Sequence, residues 1–271
     1  MYKKNVVTEY RCEDFYFLYL EKLSDKGITN RKWHMHSMHE IMFFTEGESE
    51  YAIENNRYVV KAGDVLLIKP GEHHFERRVI EPKCSFYCLC FASDIIKNGA
   101  LAERIFEKRE HLSIGCDHPL AEILSAARNI LTASKMNADS LVRAVAEAAV
   151  ISLDNPTITG EDETESSSTS INKIIEYINA HLFDIKSIDD ITNGVFFSNS
   201  YIRATFKREM GIGVMQYVRN KKILAAHRRI RRGEKPTAVY EECGFANYPS
   251  FYRAYCAYCG HSPRPNKQSE D

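Results

Sequence analysis

The amino-acid sequence predicts a two-domain α+β protein, in which an antiparallel β-sandwich or barrel with following helices precedes an all-α domain. Short β-branched and aromatic runs, separated by turn residues, fill residues 31–91 and are typical of an antiparallel sandwich or barrel. From about Leu101 the apolar residues recur at helical spacing instead. The acidic, Ser/Thr-rich stretch from Asp154 to Ser170 lacks apolar periodicity, which predicts a flexible linker.

The elements of the first domain follow from these runs in chain order. The predicted strands are Ile41–Phe44, Tyr51–Ile53, Arg57–Val60, Asp64–Ile68 and Cys84–Phe91. The predicted helices are Leu101–Lys108, Pro119–Thr132 and Ala138–Leu153. We therefore expect a domain over residues 1–153, with its barrel at about 10–92 and its helices at about 100–153. These helices either cover the barrel or pair two protomers.

Composition and charge exclude several classes of protein. The 271 residues are 44% hydrophobic and 27% charged, which is ordinary for a globular protein and unlike a collagen, a coiled coil or a wholly disordered chain. No apolar run approaches the roughly 20 residues that span a bilayer, and charges interrupt the N-terminal segment, so neither a membrane span nor a signal peptide is predicted. We expect a cytoplasmic protein with reduced cysteines, and the Cys256-x-x-Cys259 pair is interpreted as helical core thiols.

The charges are unevenly distributed along the chain. Residues 171–271 contain 16 basic and 10 acidic side chains, whereas residues 1–170 contain 20 basic and 27 acidic ones. A basic C-terminal half joined to an acidic N-terminal half indicates two separate roles. The basic half is a candidate for binding a polyanion.

A group of histidines and one carboxylate is the main candidate site of the first domain. His34, His36 and Glu40 are spaced by two and four residues at the entry to a predicted strand, so they are expected to share one face of it. His74 follows a later strand. Three imidazoles and a carboxylate that converge inside a barrel are suited to a divalent metal such as Fe, Mn, Ni or Zn.

The same residues carry a resemblance to the cupins. The run His34-Met-His36-Ser-Met-His39-Glu40, with Gly47 after it, resembles the first cupin motif, and the run from Gly63-Asp64 to Pro70-Gly71-Glu72-His73-His74 resembles the second. The resemblance implies a cupin-like double-stranded β-helix, with metal-ligand positions at His34, His36, Glu40 and His74. Three interpretations stay open: a divalent metal, an organic effector pocket that requires no cofactor, or polar core residues. His39 and His73 are expected to face away.

The last 101 residues predict helices arranged in two similar units. In the first, Ser187 and Asp190 form a capping pattern, and a second helix begins near Ser198. Ile202 and Phe206 of that helix are expected to face inward. Its outer face then presents Ser200, Arg203, Ala204 and Lys207. A short helix, a tight connection and a helix with an exposed arginine are typical of a helix-turn-helix.

The same arrangement of helices is predicted again near the C-terminus. A short helix is predicted over Pro236–Cys243, Asn247 caps the next one, and Phe251 and Tyr255 pack inward. Tyr248, Ser250 and Arg253 are expected to project from it. A long helix, Val214–Arg232, connects the two units. Its basic residues are candidates for phosphate contacts, as is Lys207: they are Lys221, Lys222, Arg228, Arg229, Arg231 and Arg232.

This half resembles the DNA-binding domain of the AraC/XylS family of transcriptional regulators over about residues 171–264. The matching segments are Tyr201-Ile-Arg-Ala-Thr-Phe-Lys-Arg-Glu-Met-Gly, Tyr217-Val, Glu242-Cys-Gly-Phe-Ala-Asn, Phe251-Tyr-Arg-Ala-Tyr and Gly260-His-Ser-Pro. The resemblance implies two helix-turn-helix units in successive major-groove segments. By position, the implied base contacts are Ser200, Arg203 and Ala204, then Tyr248, Ser250 and Arg253. The chain departs from the family pattern at Thr192, Tyr240, Pro249-Ser250 and Pro265-Asn266.

Three functions are consistent with the sequence. The first is a ligand-responsive transcription factor that is not an enzyme: a homodimer that binds double-stranded DNA and a small-molecule effector, with RNA polymerase as a further partner and no membrane association. The second is a cupin metalloenzyme tethered to nucleic acid by its C-terminal half. The third is a helical interaction module without a DNA target. The sequence contains no phosphate-binding loop and no nucleophile motif, which favours the regulator.

Overall fold

The structure is a computed structural model that describes residues 3–12, 14–23, 27–28, 34–54, 56–81, 83–108, 110–154 and 170–264. The chain divides into two compact units, Met1–Glu165 and Ser166–Asp271. The predicted linker, apart from its end residues Asp154 and Ser170, lies outside the described residues, as do Pro265 and Asn266.

The first unit contains ten strands in two antiparallel sheets. In chain order they are β1 (Lys3–Arg11), β2 (Phe15–Leu23), β3 (Gly27–Ile28), β4 (His39–Glu46), β5 (Glu48–Ile53), β6 (Asn56–Lys61), β7 (Asp64–Ile68), β8 (His74–Val79), β9 (Lys83–Phe91) and β10 (His111–Ser113), counted over the described residues. One sheet has the order β1-β2-β9-β4-β7-β10 and the other β3-β8-β5-β6. The expected closed barrel is therefore corrected: within the described part of the chain, the strands form two separately hydrogen-bonded sheets.

The six-stranded sheet is buried on both faces. On β9, Phe86 and Cys88 belong to the core that packs against the four-stranded sheet, whereas Tyr87 and Leu89 belong to the core that packs against the helices. Alternate residues of a strand point to opposite faces. Burial on both sides therefore explains why the sequence of β9 reads as a continuous apolar run rather than as an alternating one.

Three helices cover the outer face of this sheet. They are α1 (Gly99–Lys108), α2 (Pro119–Ala133) and α3 (Ala138–Leu153), so the three predicted helices are present within one or two residues of their expected bounds. Leu120, Leu124 and Leu131 of α2 are almost completely buried. Burial of side chains of this size contributes about 1.5–3 kcal/mol each.

In its described residues, the second unit contains helices joined by loops and no strand. Its helices are α4 (Ser170–Ala180), α5 (Ile188–Val195), α6 (Asn199–Met210), α7 (Val214–Arg231), α8 (Pro236–Glu242) and α9 (Tyr248–Cys259). Ser187 and Asp190 form the predicted capping box at α5. Ser198 caps α6 and Asn247 caps α9, each by accepting a backbone N–H with its side-chain oxygen.

The second unit is held together by the inward faces that the sequence predicted. Ile202 and Phe206 of α6 are fully buried, and the Phe206 ring packs on Tyr217 of α7 at 5.1 Å between centroids. Phe251 and Tyr255 of α9 are buried likewise. Within the described ranges of the whole chain, the structure contains no helix that is both long and apolar enough to cross a membrane.

Candidate ligand cavity and nucleic-acid interface

The histidine cluster forms at the edge where β4 and β8 begin. The expectation that His34, His36 and Glu40 lie on one strand face is wrong, because continuous strand starts only at His39. His34 instead pairs with His74 through an isolated bridge, with N–H···O distances of 3.2 and 2.9 Å in the two directions. A loop between His34 and β4 then directs His36 back toward Glu40. The predicted residues converge, but through a bridge and a loop.

Glu40 lies at the centre of the cluster. Its Oε2 is 2.8 Å from Nε2 of His36 and 3.1 Å from Nε2 of His74. The rings of His34 and His74 are 4.1 Å apart between centroids. One potential ligand atom from each of these four residues lies within 4.8 Å of all the others. The geometry brings together every member of the predicted set.

Burial and charge act on Glu40 and His74 in opposite directions. Burial by itself raises the pKa of Glu40, but the imidazoles of His36 and His74 outweigh it and hold that pKa well below its usual value. Burial lowers the pKa of His74, whereas the adjacent Glu40 carboxylate raises it, and the net shift is upward. The cluster therefore favours an ionised carboxylate next to a positive charge.

Two thiols that the sequence did not single out complete the cluster. The Cys88 thiol donates to Oε1 of Glu40 at 3.0 Å, and its Sγ is 3.6 Å from Sγ of Cys90. The interaction with Cys90, together with burial, raises the pKa of Cys88 well above its usual value, so the thiol stays protonated. The signal in the sequence was the spacing of two between Cys84, Phe86, Cys88 and Cys90, which places these residues on one face of β9.

A cavity of about 400 Å³ opens beside the cluster. Its wall combines the carboxylates of Glu9, Glu40 and Glu76 with aromatic and aliphatic side chains. No lysine or arginine occurs among the described residues that line it. Because Glu40 is paired with His36 and His74, the acidic character of the wall comes from Glu9 and Glu76, which favour a cationic ligand over an anionic one.

His39 and His73 lie outside the cluster, as expected from the sequence. His39 is almost fully buried on the opposite face of β4, stacked on Phe91 at 5.6 Å and edge-on to Phe106 at 4.6 Å. His73 is buried next to β8, and its backbone N–H donates to the Glu54 carboxylate at 3.2 Å.

The outer face of α6 carries the first set of candidate base contacts. Ser200, Arg203 and Ala204 lie on the solvent side of the helix, and all three are exposed. The Nε–H of Arg203 donates to Oδ1 of Asn199 at 2.6 Å, one turn earlier on the helix. This contact holds the guanidinium along the solvent face of α6, where it is available to a ligand.

The corresponding face of α9 is less exposed. Arg253 is exposed, but Tyr248 and Ser250 are half-buried. The Tyr248 ring packs on Tyr240 at 5.7 Å and on Phe251 at 5.8 Å. The large Tyr240 residue is thus accommodated by an aromatic contact with the start of α9.

The candidate phosphate contacts fall into three groups. Lys207 and Arg232 are exposed, and Lys221, Arg228 and Arg231 are half-buried. Arg229 is half-buried too, and its guanidinium is paired with the carboxylates of Glu234 and Glu242. Lys222 requires a correction, because its side chain is only 5% exposed and its ammonium donates to two backbone carbonyls. It is a structural contact and not a phosphate ligand.

Comparison with known proteins adds the family. Residues 21–153 match the family model described as an AraC-like ligand binding domain, and residues 191–267 match the one described as a helix-turn-helix domain. The chain belongs to the AraC family of transcriptional regulators. In this AraC-family chain, the ligand-binding match contains the cavity's histidines and the helix-turn-helix match contains α6 through α9.

Individual relatives resemble different parts of this AraC-family regulator. The probable transcriptional regulator LumQ of Photobacterium leiognathi is 33% identical over 103 residues, which cover 38% of this chain and 42% of LumQ. The uncharacterized regulator YbfI of Bacillus subtilis is 20% identical over 242 residues, 85% of each chain. Among solved structures, ToxT from Vibrio cholerae is 14% identical, with 93% of this chain and 96% of that chain covered and a TM-score of 0.37.

Proposed function

We propose that this chain is a sequence-specific DNA-binding transcriptional regulator, controlled by a small cationic effector that binds in the cavity of its first unit. The observation that carries the DNA-binding role is the repeated arrangement of α5–α6 and α8–α9. In each pair a short helix precedes a side-chain-capped helix with an exposed arginine, Arg203 or Arg253. The basic helix α7 lies between the two pairs in sequence.

The two pairs are proposed as helix-turn-helix units that read successive major-groove segments. Base contacts are assigned to Ser200, Arg203 and Ala204, then to Tyr248, Ser250 and Arg253. Arginine suits this role because its planar guanidinium donates two hydrogen bonds to O6 and N7 of guanine. The exposed Lys207 and Arg232 are the foremost phosphate contacts, with Lys221, Arg228 and Arg231 less exposed and Arg229 engaged by carboxylates.

The proposed division of labour follows the two units. Residues 1–153 bind the effector within a cupin-like domain and pair two protomers, residues 154–170 link the domains, and residues 171–271 bind DNA in the cytoplasm. The helical layer supports the pairing role, because it exposes Ile130, Met136 and Ile151. RNA polymerase is proposed as a further partner. The family models give the metalloenzyme alternative no support.

Selection of DNA from a random library by the full-length protein tests the proposal. The enriched sequence and a scrambled version are then compared over a salt series. Each neutralised phosphate should contribute a slope of about −0.9 to the plot of log affinity against log salt concentration. A library without enrichment, or an affinity indifferent to salt, would exclude DNA binding as the function.

A further inference from the structure

Phe196 combines a left-handed backbone with an exposed aromatic ring. It directly follows Val195, the last residue of α5, and has a φ of 59° and a ψ of 30°. The Cβ atom of an L-residue is crowded in this region, so an aromatic residue there is an outlier. The residue is also 90% exposed, which is the highest fraction among the large hydrophobic residues of the described chain. Neither its backbone conformation nor its packing accounts for a phenylalanine at this position.

The fold of the second unit does not need a side chain at this turn. Every other described residue of the unit with a positive φ is a glycine: Gly211, Gly233, Gly244 and Gly260. Gly244 lies between α8 and α9, as Phe196 lies between α5 and α6. Glycine adopts a left-handed conformation without strain. A strained residue that the fold does not need indicates a functional role for its side chain.

The Phe196 ring lies next to the surface that is proposed to bind DNA. Phe196 is two residues before Ser198, the N-cap of α6, and Arg203 lies on the exposed face of that helix. The Phe197 ring packs on the ring of Tyr201 at 5.1 Å, and Tyr201 is 43% exposed, so apolar surface continues onto the first turn of α6. The first residues of a recognition helix contact base edges in the major groove. Phe196 therefore adjoins the end of α6 that meets the bases.

We propose that the Phe196 ring contacts the 5-methyl group of a thymine in the major groove, and so determines specificity beside the bases that α6 reads. A phenyl ring has no hydrogen-bonding group for a base edge and no charge that would neutralise a phosphate. The thymine methyl is the apolar group that the base pairs present in the major groove, and phenylalanine is one of the side chains that contact it. The inference rests on the proposed function, because it requires α6 to bind in the major groove.

The chain limits where this thymine lies. Asn199 and Arg203 are separated by about 6 Å along the axis of α6, at about 1.5 Å per residue. The segment from Phe196 to Asn199 adds at most about 10 Å. With about 3.4 Å for each base pair, the thymine should lie within about five base pairs of the guanine assigned to Arg203.

The test compares thymine with deoxyuridine in the DNA that the full-length protein selects from a random library. Deoxyuridine keeps the hydrogen-bonding groups of thymine and lacks the methyl group. Each thymine near the guanine is replaced singly, and wild-type affinity should fall about fourfold at one of them, as for loss of one buried methyl-sized group. Phe196→Gly should bind the thymine DNA at least about fourfold more weakly than the wild type and should not distinguish it from the deoxyuridine DNA. Phe196→Tyr keeps the ring and should retain the preference for thymine.

Phe183→Ala is the matched control. Phe183 is an exposed phenylalanine of the same unit and lies between α4 and α5. Its variant should show the wild-type preference for thymine. Urea denaturation separates a lost contact from a folding defect. Because Phe196→Gly removes the crowded Cβ atom, the midpoint of its helical unit should equal or exceed that of the wild type.

Several results would overturn the inference. One is a selected sequence without thymine in that range, and another is a Phe196→Gly protein with the wild-type preference for thymine. An equal loss on selected and scrambled DNA would do the same, because it indicates a contact to the DNA backbone. So would a Phe196→Gly protein that binds every DNA like the wild type but fails in transcription with RNA polymerase, which would assign the ring to a protein partner.

The same experiment separates this inference from the proposed function. A library without enrichment would exclude DNA reading by the protein, and Phe196 with it. Enrichment together with any of the contrary results would exclude Phe196 from the base-reading residues and leave the regulator.

Discussion

Replacement of Lys222 tests whether a buried ammonium stabilises the helical unit. Its Nζ donates to the carbonyl oxygens of Ile185 at 2.6 Å and Gly244 at 3.0 Å, and so ties the loop before α5 to the end of α8. Lys222→Met keeps the apolar stem and removes both bonds, each worth about 1.5–3 kcal/mol because the donor is charged. Removal of the ammonium also removes the free-energy cost of burying its charge, which is the cost that lowers the pKa of Lys222. We expect a net loss of about 2–4 kcal/mol in the free energy of unfolding.

Urea denaturation of the full-length protein, followed by far-UV circular dichroism, measures this loss as a lower midpoint of the helical unit's transition. Lys221→Met is the matched control, because Lys221 is half-buried and its Nζ donates to the side chains of Asn179 and Tyr217. It should cost less than about 1 kcal/mol, because the contacts of Lys221 are exposed or only partly buried and water replaces the lost donor. Below the unfolding transition, Lys222→Met should leave the salt slope of DNA binding unchanged. An unaltered midpoint, or a slope that falls by about one unit, would refute the assignment of Lys222 as a structural contact.

Four further outcomes are expected. Arg203→Ala should cost about 1–3 kcal/mol on the selected DNA and much less on scrambled DNA, and an equal loss on both would exclude base reading. Arg232→Ala should weaken binding to both DNAs and reduce the salt slope by about one unit; a retained slope argues against a phosphate contact. Ser187→Ala should lower the free energy of unfolding by about 1 kcal/mol through loss of the capping box, as urea denaturation measures. The urea midpoint of the first unit, measured without added metal over a series of pH values, should be highest between about pH 4.3 and 6.5. Below that window Glu40, whose pKa is lowered in the folded state, protonates and loses its contribution to stability. Above it His74, whose pKa is raised in the folded state, deprotonates and loses its contribution. A urea midpoint that does not change with pH would contradict both.

The helices could be predicted from sequence because their signals are local. Pro119 at the start of α2 and the caps at Ser187, Ser198 and Asn247 act within one turn of the residues they stabilise. The strands were harder to predict from the sequence. β1 and β10 are edge strands of the larger sheet, and their existence depends on pairing with β2 and β7 rather than on an apolar run of their own.

The candidate site was likewise predictable only in part. The residue types identified His34, His36, Glu40 and His74, but the proposed reason, a shared strand face, was wrong. Cys88 was missed because its position next to Glu40 depends on the β4–β9 register, in which Glu40 pairs with Cys90 and Met42 with Cys88. Lys221 and Lys222 are consecutive residues of α7, so helical geometry points their side chains in different directions. Only the packing of α7 decides which of the two lysines is buried.

Consecutive side chains of β4 point to opposite faces of the sheet, so this strand connects the cavity with the helical layer of the first unit. Glu40 faces the cavity, and the preceding residue, His39, is wedged against Phe91 of β9 and Phe106 of the helical layer. A ligand that moved the β4 backbone at Glu40 would also move His39, which lies one peptide group away. Coupling between two binding sites is reciprocal, so a partner of α1 whose affinity the ligand raised tenfold would raise the affinity for the ligand tenfold, which corresponds to about 1.4 kcal/mol. Substitutions that alter the helical layer against His39 would then change the affinity for the ligand, with every cavity residue left intact.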